Sequence, residues 1–154
     1  MKVRKGAILG SFILAAIGIA AAVGFRFSAE RQFSARLHQA CLADSPTVVL
    51  ADIVPFSWDE VAILGPYASQ EGADRALGFP WRDYGSHQDA LESEGKDVLI
   101  FLNRGQIVGV FEHARIAGDF TNAVDKRLPR PKAVFAFHRS GNTCDFVELT
   151  LSEA

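Results

Sequence analysis

The sequence is short of the residues that build metal centres and activated nucleophiles. Its two cysteines lie far apart, and its four histidines form neither a His-Glu-x-x-His motif nor any short metal-ligand spacing. A Gly-x-Ser-x-Gly nucleophile motif is absent, and the glycines of the segment NRGQIVG lack the spacing of a phosphate-binding loop. We therefore predict no catalytic residue, metal ion or cofactor from sequence motifs.

A concentrated basic surface is missing as well. Outside the first five residues, 13 basic side chains face 18 acidic ones, which is a formal charge of −5. The one basic cluster, residues 125–132 (DKRLPRPK), is short and interrupted by prolines, and we interpret it as a solvated loop. A nucleic-acid partner, which needs a concentrated basic face, is not expected.

The sequence does contain one long apolar segment near its start. Residues 6–25 (GAILGSFILAAIGIAAAVGF) carry no charge, and 20 residues of α-helix span about 30 Å, the thickness of the bilayer's hydrocarbon core. We interpret residues 1–25 as a cytoplasmic tail and a transmembrane anchor. The cations Lys2, Arg4 and Lys5 favour a cytoplasmic N-terminus. The chain is thus predicted to be a single-pass membrane protein whose C-terminal domain faces the extracytoplasmic side.

A cleaved signal peptide is the alternative interpretation of this segment. Residues 20–22 are alanines that suit a cleavage site, and cleavage would leave a mature N-terminus near Val23. The apolar run is longer than a typical signal core, however, and helical spacing continues beyond it at Phe27, Phe33 and Leu37. We favour an uncleaved signal anchor that continues as a helical stalk, residues 26–43, ahead of an extracytoplasmic domain, residues 44–154.

The two cysteines, Cys41 and Cys144, lie at opposite ends of the segment that follows the anchor. In an exported domain such a pair indicates a disulfide, whereas in the cytosol it would be two free thiols. Closing a loop of roughly 100 residues is worth up to about 4–5 kcal/mol in the chain-entropy model. We predict a disulfide between them, with two unrelated thiols as the alternative.

Local patterns predict an α+β domain after residue 44. Residues 47–53 and 58–64 have the composition of strands, and the second ends in a Gly-Pro-Tyr turn. Ser69 is a good N-cap for a short helix, and Gly78 suits the residue that ends it. Two hairpins follow, residues 98–111 with a turn at 103–106, and residues 133–154. The sum is an antiparallel sheet of five or six strands with one or two packed helices.

The strand at residues 98–102 (VLIFL) is apolar on both of its faces, so both must be covered. We expect the stalk or the long connection at residues 116–132 to cover the second face. A surface for self-association or for a partner is the alternative.

Two sets of residues are candidates for function. Trp58, Tyr67, Trp81 and Tyr84 are of the kind that form recognition surfaces, and core packing is the alternative for them. Acidic and histidine side chains that converge from distant positions would form a dispersed hydrolytic site; the candidates are Asp52, Asp59, His113 and Asp119. Glu60 does not belong with its neighbour Asp59, because adjacent residues of a strand point to opposite faces.

The segments FSWDEVAILGPY, LGFPW and DVLIFLNRGQIVGVFE together resemble a group of small bacterial proteins that are secreted or membrane-anchored. The shared pattern is a Trp-Asp strand that ends in Gly-Pro-Tyr, a short helix that closes on Leu-Gly, and an apolar hairpin. The resemblance covers residues 50–120, and Leu64 stands where an aromatic residue is common. It implies a bacterial origin and an export-associated location, so the predicted anchor would lie in the bacterial inner membrane with the C-terminal domain facing the periplasm or the extracellular side. It supplies no catalytic residues.

These observations favour a membrane-anchored, non-enzymatic module that binds an envelope protein or a second copy of itself. One alternative is an envelope hydrolase with the dispersed carboxylate and histidine site. The other is a cleaved, secreted domain that acts as an inhibitor or ligand.

Overall fold

A computed structural model describes residues 28–40, 42–43, 47–139 and 147–151. The predicted anchor, Cys41 and Cys144 lie outside these ranges. In the described ranges, no helix has the length and apolarity needed to cross a bilayer. The elements are α1 (residues 28–40), β1 (Thr47–Val49), α2 (Leu50–Ile53), β2 (Glu60–Leu64), α3 (Gln70–Leu77), α4 (Gln88–Leu91), β3 (Lys96–Asn103), β4 (Gln106–Ala114), β5 (Lys126–Pro129), β6 (Val134–Arg139) and β7 (Val147–Leu151), with short 3₁₀ turns between some of them.

The fold is α+β, as predicted, but its strands form two antiparallel sheets instead of one. One sheet has the order β4-β3-β2-β5, and the other has the order β1-β6-β7. The division follows from the segment predicted as one strand over residues 47–53. That strand ends at Val49, and Leu50 and Ile53 are buried at the three-residue spacing of the helical turn α2. β1 therefore pairs with β6, as in Val48↔Phe135, and does not join β2.

The basic segment at residues 125–132 is not the solvated loop that the sequence suggested. Its centre is β5, which pairs with β2 through contacts such as Val61↔Leu128. Leu128 is buried against the core, while the Arg127 guanidinium donates to the Leu77 carbonyl at 2.6 Å and to the Glu60 carboxylate. Arg127 thus ties β5 to the end of α3.

Helix α3 has the local signals that were predicted for it. The Ser69 hydroxyl accepts a hydrogen bond from the Gly72 N–H at 3.1 Å, and Gly78 ends the helix with φ of 78°. Glu71 and Arg75 pair across one helical turn at 3.2 Å. Short-range sequence chemistry is therefore sufficient to define this helix.

The β3–β4 hairpin is also where it was predicted. Arg104 and Gly105 form its turn with φ of 52° and 74°. The register then shifts, since Phe101 pairs with Gly109 while Leu102 pairs with Ile107, so Val108 is an extra residue in a β-bulge. At Gly109, an added Cβ would lie 2.6 Å from Cζ of Phe56, which explains why this position has no side chain.

Both faces of β3 are buried by the rest of the fold. Val98, Ile100 and Leu102 pack with α3 and α4 on one face. Leu99 and Phe101 pack on the other face with α1 and the three-stranded sheet, through residues that include Ala29, Phe33, Leu37, Val48 and Phe135. The segment predicted as a stalk is helical over residues 28–40, but it is a core element that covers the second face of the sheet.

The second hairpin is confirmed by its pairing, which runs from Phe135↔Leu151 to Arg139↔Val147. The connection between its strands, residues 140–146, lies outside the described residues.

Candidate functional site: a groove beside an edge strand

The four aromatic residues predicted as a binding surface do not form one surface. Trp58 is 2% exposed and packs on one face of the four-stranded sheet, with its ring 5.3 Å from that of Phe101. Trp81 is also 2% exposed and packs on the opposite face, stacked on the His87 ring at 5.3 Å. The two tryptophans therefore belong to two separate apolar clusters, which is the core-packing alternative.

The two tyrosines hold loops in place through their hydroxyl groups. Tyr84 lies 5.8 Å from Trp81 between ring centroids, and its hydroxyl donates to the Ala68 carbonyl at 2.9 Å. Tyr67 is 64% exposed with φ of 62°, and its hydroxyl donates to Glu94 at 2.8 Å. Of the four, only Trp81 lines the groove described next.

A groove of about 630 Å³ lies between the loop that follows α3 and the β3–β4 hairpin. Its apolar lining comes from Phe79, Pro80, Ile107 and Val110, with Trp81 behind them. Its polar lining comes from Arg82, Asp83 and Gln106, all of which are exposed. A concave surface with an apolar floor and a few polar groups is typical of a binding site.

The floor of the groove is held by contacts on several sides of Trp81. The backbone N–H of Trp81 donates to the Asp74 carboxylate at 2.7 Å, and the His87 ring that stacks on the Trp81 ring contacts Glu112 at 2.9 Å. Lys96 donates to the same Glu112 carboxylate at 2.9 Å. Burial alone would raise the Glu112 pKa, but the bonds to His87 and Lys96 outweigh it and leave that pKa below its ordinary value. Glu112 is thus a charged anchor for the groove's supporting residues.

A second groove of about 450 Å³ lies near the other side of the hairpin turn, and Gln106 lines both grooves. Ser57, Asn103, Arg104 and Val108 complete its lining. The turn between the grooves is fixed to β2, because the Arg104 N–H donates to the Asp59 carboxylate at 2.7 Å. Asp59 is therefore a turn anchor, and Glu60 contacts Arg127 instead, so the two neighbours have separate roles as expected.

Two of the candidate acid–base residues do come together, but inside the protein. His113 and Asp119 are 1% and 4% exposed, and Asp97 beside them is fully buried. Asp97 pairs with His113 across the β3–β4 ladder, and it accepts a hydrogen bond from the Phe120 N–H at 2.9 Å. Arg115 binds Asp119 with two hydrogen bonds of 3.1 and 2.7 Å. We call Asp97, His113, Arg115 and Asp119 the buried polar cluster.

Burial shifts the two titratable groups at the centre of the cluster in opposite directions. It raises the Asp97 pKa to about 6, although the Phe120 N–H favours the charged form. It lowers the His113 pKa to about 4, although the Gly118 carbonyl and Asp119 favour the imidazolium. His113 is therefore neutral at pH 7, with Nε2 donating to Gly118 at 2.9 Å.

The cluster closes a loop and is not part of either groove. His113 and Asp119 are both absent from the lining of the 630 Å³ and 450 Å³ grooves. The other two candidates, Asp52 on α2 and Asp59 at the hairpin turn, are exposed and belong to different elements. Among the described residues, no group of three His, Cys, Asp or Glu side chains is arranged to hold a metal ion.

The groove was not predicted from the sequence, because its walls come from segments about 25 residues apart. The sequence marks Trp81 in the Phe-Pro-Trp-Arg-Asp segment as a candidate recognition residue, and it predicts a turn at residues 103–106. No local pattern shows that these two segments face each other. Comparison with protein families, with curated proteins and with solved structures finds no match for this chain. The function is therefore argued from the geometry.

Proposed function

We propose that this protein is a membrane-anchored extracytoplasmic module that binds another envelope component through the 630 Å³ groove. The observation that carries the proposal is the contrast between the groove and the buried polar cluster. The groove is open and lined by apolar and hydrogen-bonding side chains, whereas His113, Asp97 and Asp119, the acid–base groups that come together, are buried inside the protein. Binding without catalysis is what such an arrangement supports best.

The position of α1 supports anchoring close to the membrane. The described part of helix α1 begins at residue 28, three residues after the predicted anchor ends at Phe25. Its first turn contacts β4 directly, because the Glu30 carboxylate accepts from the Glu112 N–H at 2.7 Å. Glu112 in turn contacts His87, which stacks on Trp81. In the proposed topology, the groove therefore lies near the outer surface of the bilayer.

The topology is compatible with the proposed disulfide between Cys41 and Cys144. β1 begins at Thr47, which pairs with Ala136, and β6 ends three residues later at Arg139 beside Val147. The described residues that flank the two cysteines thus lie at the same end of the three-stranded sheet. A disulfide there would join the segment after α1 to the β6–β7 connection.

Topology is tested by labelling intact cells with a membrane-impermeant maleimide before and after reduction, followed by fractionation. We expect labelling of the membrane fraction only after reduction, because the thiols are proposed to be outside and oxidised. Labelling without reduction would disprove the disulfide, and labelling only after lysis would disprove the topology. Recovery of the labelled chain in the soluble fraction would instead support the cleaved, secreted alternative.

Binding is tested in the full-length chain with a photoreactive amino acid placed at Gln106, which lines both grooves. The matched control carries it at Lys132, an exposed position beyond β5 at the opposite edge of the sheet. We expect an adduct from position 106 that Arg82→Glu removes, and no such adduct from position 132. Equal adducts from both positions, or an adduct that ignores Arg82→Glu, would contradict a role for the groove.

A further inference from the structure

The outer edge of β4 is only partly covered by the rest of the chain. The Glu112 N–H points away from β3 and is bound by Glu30. Orientation alternates with a two-residue period along an antiparallel ladder, so Val110 also directs its N–H and C=O away from β3. These two groups have no hydrogen-bond partner among the residues that the structure describes. An exposed edge of this kind is a template for another strand.

The free edge lies between two grooves that suit alternate side chains of an added strand. Val110 lines the larger, apolar groove, and the bulge residue Val108 lines the smaller, polar one. Side chains of a strand point to opposite faces in turn. The residue placed opposite Val110 would therefore direct its side chain into the larger groove, and its neighbours would face the smaller groove.

Each groove also contains an arginine whose guanidinium has no carboxylate partner among the described residues. Arg82 lies in the larger groove and Arg104 in the smaller one, and both are exposed. By contrast, Arg75, Arg115 and Arg127 are paired with acidic side chains. Two unpaired cations beside one strand edge are complementary to an acidic ligand.

We infer that the β4 edge binds an extended, acidic polypeptide segment by strand addition, with an apolar side chain in the larger groove and carboxylates at Arg82 and Arg104. The inference rests on the proposed function and deepens it, because it names the class of partner. Glu30 limits the site, since its carboxylate occupies the place of an added strand at residue 112. A short segment fits that limit better than the nine-residue β4 of a second copy.

The test is a titration of the isotope-labelled full-length chain in detergent micelles, followed by NMR. The probe is an acetylated, amidated heptapeptide, Asp-Thr-Val-Asp-Val-Thr-Thr, whose first aspartate shares a strand face with the valines and whose central aspartate lies on the opposite face. We expect the Val110 amide to shift on binding. We also expect the combined Arg82→Glu and Arg104→Glu changes to weaken binding at least about tenfold. Lys132→Glu, a charge reversal at the opposite edge, is the matched control and leaves the affinity within about twofold.

Two methylated peptides make the test specific for strand addition. The N–H groups of a paired edge strand face its partner at every second residue only. Methylation of one alternate set of peptide nitrogens is expected to abolish binding, and methylation of the other set is expected to preserve it. Equal binding of the two methylated peptides would overturn the inference, as would no binding at about 5 mM peptide, a concentration at which even a weak complex forms.

The remaining outcomes separate this inference from the function it rests on. If the peptide does not bind but the adduct at position 106 persists in cells and is lost with Arg82→Glu, the groove is a binding site and strand addition is wrong. If dilution without peptide shifts the Val110 amide, β4 pairs with a second copy and the peptide inference is overturned.

Discussion

The two ends of the β3–β4 hairpin differ in the burial of their polar side chains. At the end near Asp97 and His113, the polar groups are buried and Arg115 holds two of them. At the turn end, Arg104 and Gln106 are exposed and the neighbouring edge of β4 is open. A polar group buried in the core must be compensated and contributes to a single folded state, whereas an exposed one is available to a ligand.

The largest effect is expected from Arg115→Met, which removes the charge partner of the buried Asp119. Breaking a buried ion pair from one side costs about 3–5 kcal/mol, because the remaining carboxylate loses its charge partner. Urea denaturation of the full-length chain in micelles measures this free energy of unfolding. Arg104→Met is the control at the open end. A similar small loss for both variants would mean that the buried cluster contributes little to stability.

The next prediction concerns pH, because Asp97 and His113 act on stability in opposite directions over one window. The folded-state pKa of Asp97, about 6, is above its ordinary value of 3.8, so its contribution to stability falls as pH rises from about 4 to 6. The folded-state pKa of His113, about 4, is below its ordinary value of 6.5, so its contribution falls as pH drops through the same window. In the native protein the two slopes nearly cancel.

Single variants are expected to expose each slope. Asp97→Asn leaves the His113 contribution, so the free energy of unfolding rises by up to about 1.4 kcal/mol per pH unit between pH 4 and 6, relative to the native protein. His113→Gln leaves the Asp97 contribution, so the change has the opposite sign. Denaturation midpoints at several pH values measure both. Parallel profiles for the native protein and the two variants would disprove the opposing shifts.

A smaller effect is expected from Gly109→Ala, on the boundary between the two ends. The new methyl group meets the Phe56 ring, which is itself packed edge-on against Phe101 and Phe111 at 5.5 and 5.7 Å. Overpacking of this kind costs about 1–3 kcal/mol. Phe56→Leu in the same chain relieves the clash, so the double variant is expected to be less destabilised than the sum of the two single variants. Additive losses would mean that the contact with Phe56 is not the cause.

The smallest effect on stability is expected from Arg82→Ala and Arg104→Ala. Both side chains are exposed and make no ion pair among the described residues, so each change is expected to alter the unfolding free energy by less than about 0.5 kcal/mol. Denaturation of the two variants under the conditions used for Arg115→Met checks this. A loss above 1.5 kcal/mol, roughly what a charged hydrogen bond contributes, would contradict the prediction. It would mean that these arginines stabilise the fold, as Arg115 does at the other end of the hairpin.

The elements that the sequence predicts well are those defined by neighbouring residues. Ser69 and Gly78 bound α3 through contacts that span three or four residues, and Gly105 supplies the hairpin turn. The short segment at residues 50–53 has no such signal. A segment this short is compatible with a strand or a helical turn, and the structure has the turn, in which the Val54 N–H donates to the Leu50 carbonyl at 3.0 Å.

The candidate site depends on pairings that only the tertiary structure supplies. Asp97 and His113 become neighbours through the register of β3 and β4, and the bulge at Val108 adjusts that register. The 630 Å³ groove exists only because the loop after α3 faces Val110 in the folded chain. The sequence did not predict β5, because it begins with Lys126 and Arg127. Charged side chains with long apolar stems are common in loops and are also tolerated at a sheet edge.

The placement of α1 in the core has a consequence for biosynthesis. The apolar side of α1 joins the same core cluster as Val48, and Val48 pairs with Phe135 on β6, which then pairs with β7. A ribosome makes the first of these elements roughly 100 residues before the last. Phe33 can pack against Phe111 of β4 as soon as that strand has emerged, but the cluster lacks Phe135 until β6 has been synthesised, and folding completes only after β7 has emerged.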